Sequence, residues 1–308
     1  MKKLVCLVCL ALAACSSNNP DQPYKFTYQP PDSVNFVVEL AMTQMYAQGD
    51  QQNLDSTWTL TRHYQKAVPG GFELSGKTDS VAVFRNGTPL NDPIVGLFAG
   101  GNIVIQIDTA GVATGVRGFD ELMARLDTLV GPDTAAMVRQ VVSVEALQQQ
   151  ETTTWNGKFT PFVGREMKLG QIYGDTTFPE LPVEGRMNSY RISEMTDTVT
   201  IGDRLCGRLK VTSSTDPSEL ARLSGKSEAD IEKLFGLTRE AFTQAAQRQA
   251  GYSSTRDWVL EFETMLSHEE SSRQEYFFFD LSNSGMPVKN RMAETQSKRF
   301  TYPNVSSS

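Results

Sequence analysis

The sequence predicts an α+β fold in which a large antiparallel, curved sheet is interleaved with two helical hairpins. Apolar and polar residues alternate in segments such as 34–42 and 58–64, which is the pattern of strands with one buried face. Two longer blocks, 119–150 and 218–249, carry apolar residues near helical spacing. Strands and helical blocks alternate along the chain, an order that indicates the α+β class.

The predicted strands are separated by segments rich in Gly, Pro, Asn and Ser, which favour turns. In the C-terminal part, the polar sequences SHEESS and SNSG are predicted to be the turns of a long meander. The first helical block is broken at Gly131-Pro132, so we expect a helical hairpin there, and a second hairpin in the later block. The strands are predicted at residues 34–42, 58–64, 72–84, 102–108, 112–117, 186–195, 198–212, 255–267, 273–281 and 286–301.

The first residues have the anatomy of a secretory signal peptide. Lys2 and Lys3 form a positively charged start, and an uncharged apolar run follows over residues 4–14. A membrane-spanning helix needs ~20 apolar residues, so this run is too short to be one. We therefore expect it to direct export.

The end of that run, LAAC at residues 12–15, resembles a bacterial lipobox. By this resemblance, residues 1–14 are a lipoprotein signal peptide, and Cys15 carries a diacylglyceryl thioether and becomes the N-terminus. Ser16 stands where an Asp would retain such a protein in the inner membrane, so the resemblance implies an outer-membrane lipoprotein facing the periplasm or the cell surface. Two or three acyl chains hold a protein far more firmly than one. The bilayer is thus the predicted partner of Cys15.

The remaining chain is predicted to contain a tether and two α+β halves. Residues 15–33 are rich in Ser, Asn and Pro, as expected of a polar tether. The N-terminal half covers 34–150 and the C-terminal half 151–308. The sequences IQIDTAGVATGV and FFFDLSNSGMPV echo each other, which leaves open a duplication of two halves as well as one continuous domain.

The composition is that of an acidic exported protein stabilised by a hydrophobic core. Of four cysteines in 308 residues, two precede Cys15, and only Cys206 remains after lipidation, so no intramolecular disulfide is expected. The net charge of −7 becomes −9 once Lys2 and Lys3 are removed. Such a surface argues against a nucleic-acid partner and against electrostatic docking on anionic lipid.

One segment, Gly71–Thr78, fits the phosphate-loop pattern G-x-x-x-x-G-K-[ST]. A phosphate loop works because a helix begins at its end and directs backbone N–H groups at the phosphate. The residues that follow here, DSVAVFRNG, have the pattern of a strand. We therefore interpret the segment as part of a β hairpin with a turn at Gly70-Gly71 and a solvated Lys77, and we expect no nucleotide partner.

Other short patterns also have simple structural interpretations. Residues 280–285 imitate the start of a calcium loop, but its twelfth position is Arg291 instead of Glu. Cys206 is the only free thiol, and a catalytic thiol needs a base. The two histidines, His63 and His268, lie in polar surroundings, and His268 is interpreted as a turn residue. An inert, partly covered cysteine is therefore expected.

Glu261 and Glu263 are two residues apart on a predicted strand, so their side chains should point the same way. This spacing could serve acid–base chemistry on a sugar. The solvated face of any alternating strand produces the same pattern, and we expect both carboxylates to be exposed. Without a catalytic triad, a metal-binding set or a cofactor motif, the sequence predicts no enzyme, no cofactor and no metal.

Aromatic residues supply the remaining candidate site. The segment 276–279 places aromatic rings on both faces of one strand. Core packing explains this, and so does a groove for an apolar or amphiphilic ligand. The residues predicted to line such a groove are Phe36, Met42, Trp58, Trp258, Phe262 and Phe278.

The layout as a whole resembles that of bacterial envelope lipoproteins with no assigned role, and more loosely that of half-barrel lipoproteins that hold acyl chains in a sheet closed by helices. This resemblance implies a membrane-anchored lipoprotein that binds or carries an apolar or amphiphilic ligand, which requires a connected apolar cavity. The alternative is a structural or protein-interaction lipoprotein that presents an exposed apolar patch to another envelope protein. A hydrolase would require a cleft with converging titratable groups.

Overall fold

A computed structural model confirms the predicted α+β class and the large antiparallel sheet. One sheet of twelve strands contains every strand described except a short separate pair. All neighbouring strands in the sheet are antiparallel. The structure describes residues 21–48, 51–90, 97, 99–177, 188–246, 250–280 and 288–303.

The first part of the chain forms seven strands and then a run of helices. The strands are β1 (Tyr24–Lys25), β2 (Ser33–Gln48), β3 (Gln51–Val68), β4 (Gly71–Arg85), β5 (Thr88–Pro89), β6 (Asn102–Asp108) and β7 (Ala113–Arg117). The helices are α1 (Phe119–Ala124), α2 (Leu126–Val130), α3 (Pro132–Val141) and α4 (Val144–Phe159).

The second part repeats the alternation of strands and helices. Its first strands are β8 (Glu166–Met167), β9 (Ile172–Thr177), β10 (Ser189–Ile201) and β11 (Arg204–Ser214). The helices α5 (Pro217–Ser224), α6 (Glu228–Phe235) and α7 (Arg239–Ala246) follow, and then come β12 (Ala250–Glu261), β13 (Ser267–Asp280) and β14 (Val288–Thr301).

The first long strand and the last one are neighbours in the centre of the sheet. The strand order is β7-β6-β4-β3-β2-β14-β13-β12-β11-β10-β9, and β5 pairs with β4. The sheet therefore contains strands from both predicted halves, and α4 runs through the predicted boundary after residue 150. These two facts fit one continuous domain, the description that the sequence left open.

Local sequence explains why the helices begin and end where they do. The side chain of Ser143 accepts from the N–H of Ala146 at the start of α4, and Asp216 does the same for Ser218 at the start of α5. Ser227 forms a capping box at the start of α6. Each predicted helical hairpin is thus a run of shorter helices, four in the first block and three in the second.

The two faces of the sheet are covered by different helices. We call the face that carries Phe36 and Trp258 the inner face, because the main core, with Phe159 of α4, packs against it. The opposite or outer face is covered at β10 by α5, α6 and α7, through Ile192 and Leu220. Among the described residues, no helix is long and apolar enough to cross a membrane.

The predicted tether ends earlier than residue 33, which corrects the sequence analysis. Phe26 and Tyr28 are buried in the main core, and β1 pairs with β8. Gly207 makes this packing possible, since a Cβ there would come within 3.0 Å of the rings of Phe26 and Phe262. Three aromatic side chains between residues 24 and 28 explain why a Pro- and Asn-rich segment is nevertheless held on the body.

Two predicted strand boundaries are also wrong. The sequence SHEESS, predicted as a turn, is the start of β13, and the chain instead turns at residues 262–266. The predicted strand 198–212 is a hairpin, with a turn at Gly202-Asp203. By contrast, Gly71–Arg85 is one continuous strand in which Lys77 is exposed, as the hairpin interpretation of the phosphate-loop pattern predicts. The turn before it is at Pro69-Gly70.

Candidate functional site

The main candidate site is a cavity between the inner face of the sheet and helix α4, which we call the α4 cavity. It has a volume of about 330 Å³, near the lower end of the range of about 300–1,000 Å³ for small-molecule sites. Its walls are mainly apolar, and polar groups lie at its two ends. The lining residues are Tyr28, Phe36, Val38, Leu40, Thr59, Thr61, His63, Gln65, Leu74, Ile105, Glu151, Thr154, Trp155, Lys158, Phe159, Thr264, Met265, Leu266, Ser267, Lys298, Phe300 and Tyr302.

Helix α4 is fixed over the sheet by hydrogen bonds to the edge strand β7 and to the turn before it. The side-chain amide of Asn156 accepts from the N–H of Ala113 at 2.7 Å and donates to its carbonyl at 3.1 Å. Trp155 Nε1 donates to the carbonyl of Gly111 at 3.0 Å. The next turn places Lys158 and Phe159 over the inner face, so one helix supplies both the anchor and the roof of the cavity.

The α4 cavity extends in two directions but is small in volume. Along β3 its lining runs from Thr59 to Gln65, six residues apart, which is roughly 20 Å at about 3.3 Å per residue. Across the sheet it touches the six neighbouring strands β6, β4, β3, β2, β14 and β13. At roughly 30 Å³ for a group the size of a water molecule, a volume of about 330 Å³ holds on the order of eleven such groups, which suits one hydrocarbon chain of that length.

One end of the cavity is charged. Glu270 of β13 is 3% exposed and accepts a hydrogen bond from Lys158 Nζ at 2.5 Å. Arg256 Nε and Lys298 Nζ lie 3.5 and 3.7 Å from its other oxygen. Glu151 of α4 also lines the cavity. Three cations therefore surround a single deeply buried carboxylate.

The pKa values at this end follow from burial and from those charges. Burial raises the pKa of Glu270, but Lys158, Lys298 and Arg256 outweigh it and lower the pKa to about 2. Burial lowers the pKa of Lys158 to about 8, although Glu270 opposes this. Burial raises the pKa of Glu151, against the effect of Lys298. The positive charge of Lys158 is thus incompletely compensated by its protein partner.

Aromatic rings form the rest of the surroundings of Lys158. Its Nζ lies 4.7 Å from the ring centroid of Trp258, 4.9 Å from that of Phe159 and 6.0 Å from that of Phe300. Such cation–π contacts stabilise an ammonium group where water is scarce. The end of the side chain is therefore held in a defined position at the cavity.

The other end of the cavity carries polar groups without a partner among the described residues. They are Gln65 Nε2, Tyr28 OH and His63 Nδ1. Gln65 is 2% exposed and Tyr28 is buried as well. Burial lowers the pKa of His63 to about 4, and the charges of Lys298 and Lys158 add to this, so its ring is neutral at pH 7. A buried donor without an acceptor is costly, which indicates a ligand or water at this end.

A second buried cluster lies at the turn between β12 and β13. Glu261 Oε1 lies 2.7 Å from His268 Nε2, and the other carboxylate oxygen accepts from Arg204 at 2.7 Å and from Thr264. Both Glu261 and His268 are buried, so the expectations of an exposed Glu261 and of a turn at His268 are wrong. Glu263 is exposed, as expected. All polar atoms named here already have partners, so we interpret the cluster as stabilising the turn between β12 and β13.

Cys206 is more enclosed than the sequence predicts. It is completely buried, and its Sγ donates a weak hydrogen bond to the carbonyl of Arg204, at 3.7 Å. Burial raises the pKa of the thiol to about 12, and Glu261 adds to this. The thiol is therefore inert at neutral pH, in agreement with the sequence-based interpretation. Within the described parts of the chain, no group of three or more His, Cys, Asp or Glu could hold a metal ion.

Two of the six predicted ligand residues lie at or beside the α4 cavity. Phe36 lines the α4 cavity and stacks on His63 with ring centroids 4.9 Å apart. Trp258 lies behind Lys158, packs edge-on against Phe159 and donates from Nε1 to Ser267 at 2.9 Å. Trp258 thus supports the cavity without lining it.

The other four predicted residues lie elsewhere. Met42 is further along the inner face, and Phe278 lines a separate cavity of about 410 Å³ with Tyr46. Phe262 packs in the core against Phe26 at 4.8 Å. Trp58 lies on the outer face in a charged groove with a volume of about 400 Å³. The six residues therefore do not line one cavity, and their role in ligand binding stays a prediction.

The lipobox with Cys15 lies wholly outside the described residues. The calcium-loop pattern lies largely outside them, because residues 281–287 are not described. Lys158, Gln65 and Glu270 are not predicted as site residues from the sequence. For α4 a signal was available, the spacing of Trp155, Lys158 and Phe159 on one helical face, but the predicted helical block ends at residue 150.

No protein-family model matches the chain, and a search of curated proteins gives no match. Among solved structures, the chain is similar to lipovitellin, in a structure of its lipid–protein interactions, with a TM-score of 0.42, 11% identity, 89% of this chain and 25% of that chain covered. It is also similar to DynF from the dynemicin pathway of Micromonospora chersina, with a TM-score of 0.19, 8% identity and coverage of 91% and 85%. The β domain of the Bordetella autotransporter BrkA gives a TM-score of 0.21, 8% identity and coverage of 87% and 99%. The chain spans about a quarter of the lipovitellin chain, and these low scores carry no functional argument.

Proposed function

We propose that this protein is a lipid-anchored lipoprotein of the cell envelope that binds an apolar or amphiphilic ligand in the α4 cavity and catalyses no reaction. The observation that carries the proposal is a small cavity with mainly apolar walls and polar groups at both ends. This is the arrangement of small-molecule sites, in which apolar surface supplies affinity and a few polar groups fix orientation.

The anchor in this proposal is the thioether-linked lipid on Cys15. Its support is the sequence alone, that is, the signal-peptide anatomy and the lipobox. Radiolabelled palmitate should enter the wild-type chain in its host and should not enter the Cys15→Ser variant. Equal labelling of both chains, or none in the wild type, would contradict the anchor and the proposed outer-membrane location.

Ligand binding is tested by native mass spectrometry of the full chain, extracted gently from its own host. We expect an additional mass of lipid size. Leu40 lines the cavity, and Leu40→Trp should block it and remove that mass. Thr43 is an exposed residue of the same strand on the outer face, so Thr43→Trp is the matched control and should keep the mass. A clean apoprotein in the wild type, or a mass retained in Leu40→Trp, would contradict the proposal.

The non-catalytic part of the proposal is supported by the state of the free thiol and of the two histidines. Cys206 is buried with a raised pKa, and His268 is held by Glu261. His63 is neutral and has no nucleophile among its described contacts. None of these groups is both exposed and activated, as a nucleophile or general base must be.

A second candidate function, protein interaction, is favoured by one observation on the outer face. Leu54, Trp58 and Tyr64 all point to that face of β3, and each is more than 40% exposed. Exposed apolar groups on one face are typical of docking surfaces. In-cell cross-linking through a photoreactive residue at position 58 should then capture one dominant envelope protein, whereas diffuse labelling would count against this function.

A further inference from the structure

We propose that the ligand of the α4 cavity is a single-chain amphiphile with an anionic head group, a carboxylate or a phosphate monoester, that lies between Lys158 and Lys298. This inference deepens the proposed function and rests on it. The charge at one end of the cavity supports the anionic head group, its volume supports a single chain, and the polarity of its two ends supports the orientation.

The charged end of the cavity has more cations than carboxylates. Lys158, Lys298 and Arg256 all lie within 3.7 Å of Glu270, which is one carboxylate for three cations. If Glu151 is ionised too, the cations still exceed the carboxylates by one. Lys158 is largely buried, whereas Lys298 and Arg256 are 27% and 34% exposed, so water only partly screens the excess positive charge and a further anion at this place is favourable.

The nearest other carboxylate on the inner face does not supply that charge. Glu294 lies four residues from Lys298 on β14, roughly 13 Å away at about 3.3 Å per residue. It accepts from the side-chain amides of Gln44 at 2.7 Å and of Gln296. Among the described residues, Glu270 is the one carboxylate that forms ion pairs with both Lys158 and Lys298, and Glu151 adds only a more distant charge near Lys298.

The exposure of the lining residues indicates which end is the mouth. The side chain of Lys298 is 27% exposed, whereas Gln65 at the other end is 2% exposed. An entering amphiphile would place its tail along Val38 and Phe36 and keep its head group at the lysines. In this orientation each part of the ligand meets groups of matching polarity.

The deep end limits the length of the tail. Gln65 Nε2 and Tyr28 OH have no partner among the described residues, and a methylene group placed against them would leave both donors unpaired. A tail that stops short leaves room for water there. The volume of about 330 Å³ also leaves no room for a second acyl chain, so a two-chain phospholipid does not fit.

The test uses the full chain in phosphatidylcholine vesicles and a dodecanoate probe with a photoreactive group at its chain end. Cross-links are located by proteolysis and mass spectrometry, which separates probe in the cavity from probe in the bilayer. Unlabelled dodecanoate, dodecyl phosphate, dodecanol and dodecylamine then compete for labelling of the cavity-lining residues. An ionised head group forms charge-assisted hydrogen bonds to the lysines that dodecanol cannot form, so at least one anion should compete at a concentration roughly tenfold or more below that of dodecanol.

Two variants connect this preference to the lysines. In Lys298→Met the competing concentrations of the anion and of dodecanol should differ by no more than about threefold. The photoreactive chain end of the probe should still label the cavity-lining residues. Lys77→Met changes an exposed lysine of β4 and should keep the full preference.

The outcomes separate the inference from the function on which it rests. No cross-link to any cavity-lining residue would overturn both. Cavity labelling in which dodecanol or dodecylamine competes as well as the anions would overturn the anionic head group and leave the carrier function standing. The better of the two anionic competitors identifies the head group as carboxylate or phosphate.

Discussion

Replacing Glu270 by Gln is expected to destabilise the fold strongly, because it removes the carboxylate shared by three cations. Lys158 Nζ is 2.5 Å from Glu270, and Arg256 and Lys298 follow at 3.5 and 3.7 Å. The pKa of Glu270, lowered from 4.5 to about 2, corresponds to roughly 3 kcal/mol at about 1.36 kcal/mol per unit. Breaking a buried pair from one side typically costs about 3–5 kcal/mol. We therefore expect Glu270→Gln to lower the free energy of unfolding by about 3 kcal/mol at pH 7.

The same carboxylate predicts a pH dependence. Because the pKa of Glu270 is lower in the folded state, its stabilisation is complete above pH 4.5 and is lost as the pH falls through about 2. At pH 3 the wild type should have lost about 2 kcal/mol of this contribution. Glu270→Gln should lack that part of the acid dependence.

Urea unfolding followed by tryptophan fluorescence at pH 7 and pH 3 measures both effects. Glu219→Gln is the control, since Glu219 forms an ion pair with Arg222 at the surface and should change stability by less than about 1 kcal/mol. The reasoning would be refuted if Glu270→Gln unfolded within about 0.5 kcal/mol of the wild type at pH 7, or if it kept the full acid dependence.

Three further predictions concern the core, helix α4 and the free thiol. Phe26→Ala should lower the free energy of unfolding by about 3–5 kcal/mol, measured by urea denaturation, because Phe26 is completely buried in the segment predicted as a tether. A loss below about 1 kcal/mol would show that the segment around Phe26 is a tether and is not packed on the body. Gly157→Ala should raise the melting temperature by a few degrees, since a Cβ inside α4 meets nothing within 4 Å and Ala is about 1 kcal/mol better than Gly in a helix. Cys206 should react with a thiol reagent at pH 8 only after denaturation, with Cys206→Ser as the blank, because burial raises its pKa to about 12.

The sequence predicts much of the sheet because alternation along a strand is a local property. The strands β2, β3 and β4 form over the alternating segments. The turn between β3 and β4 contains Gly70, whose φ of 86° favours glycine. The start of β13 was predicted as a turn because its polar residues are those that turns select. His268 and Glu270 are buried there only because Glu261 and Lys158 reach them through the tertiary fold.

The candidate site was less predictable for the same reason. Phe36 was identified from its strand pattern, and it does line the α4 cavity. Lys158 and Glu270 are 112 residues apart in sequence, and no local pattern indicates that they form an ion pair. Gln65 is an ordinary polar residue in an alternating strand until the fold buries it. Such sites depend on strand register and on the position of one helix, which pairwise spacing does not reveal.

The α4 cavity exists because β3 presents small polar side chains where a packed core would present large apolar ones. Thr59 and Thr61 lie opposite Leu40 and Val38, beneath the turn of α4 that carries Lys158. Filling such a void with apolar volume commonly raises stability by about 0.5–2 kcal/mol, and the usual cost is lost function. Thr59→Leu should therefore raise the midpoint of urea unfolding and abolish the co-purifying ligand mass. A variant that gains no stability and still carries the ligand would show that the space beneath α4 is not where the ligand lies.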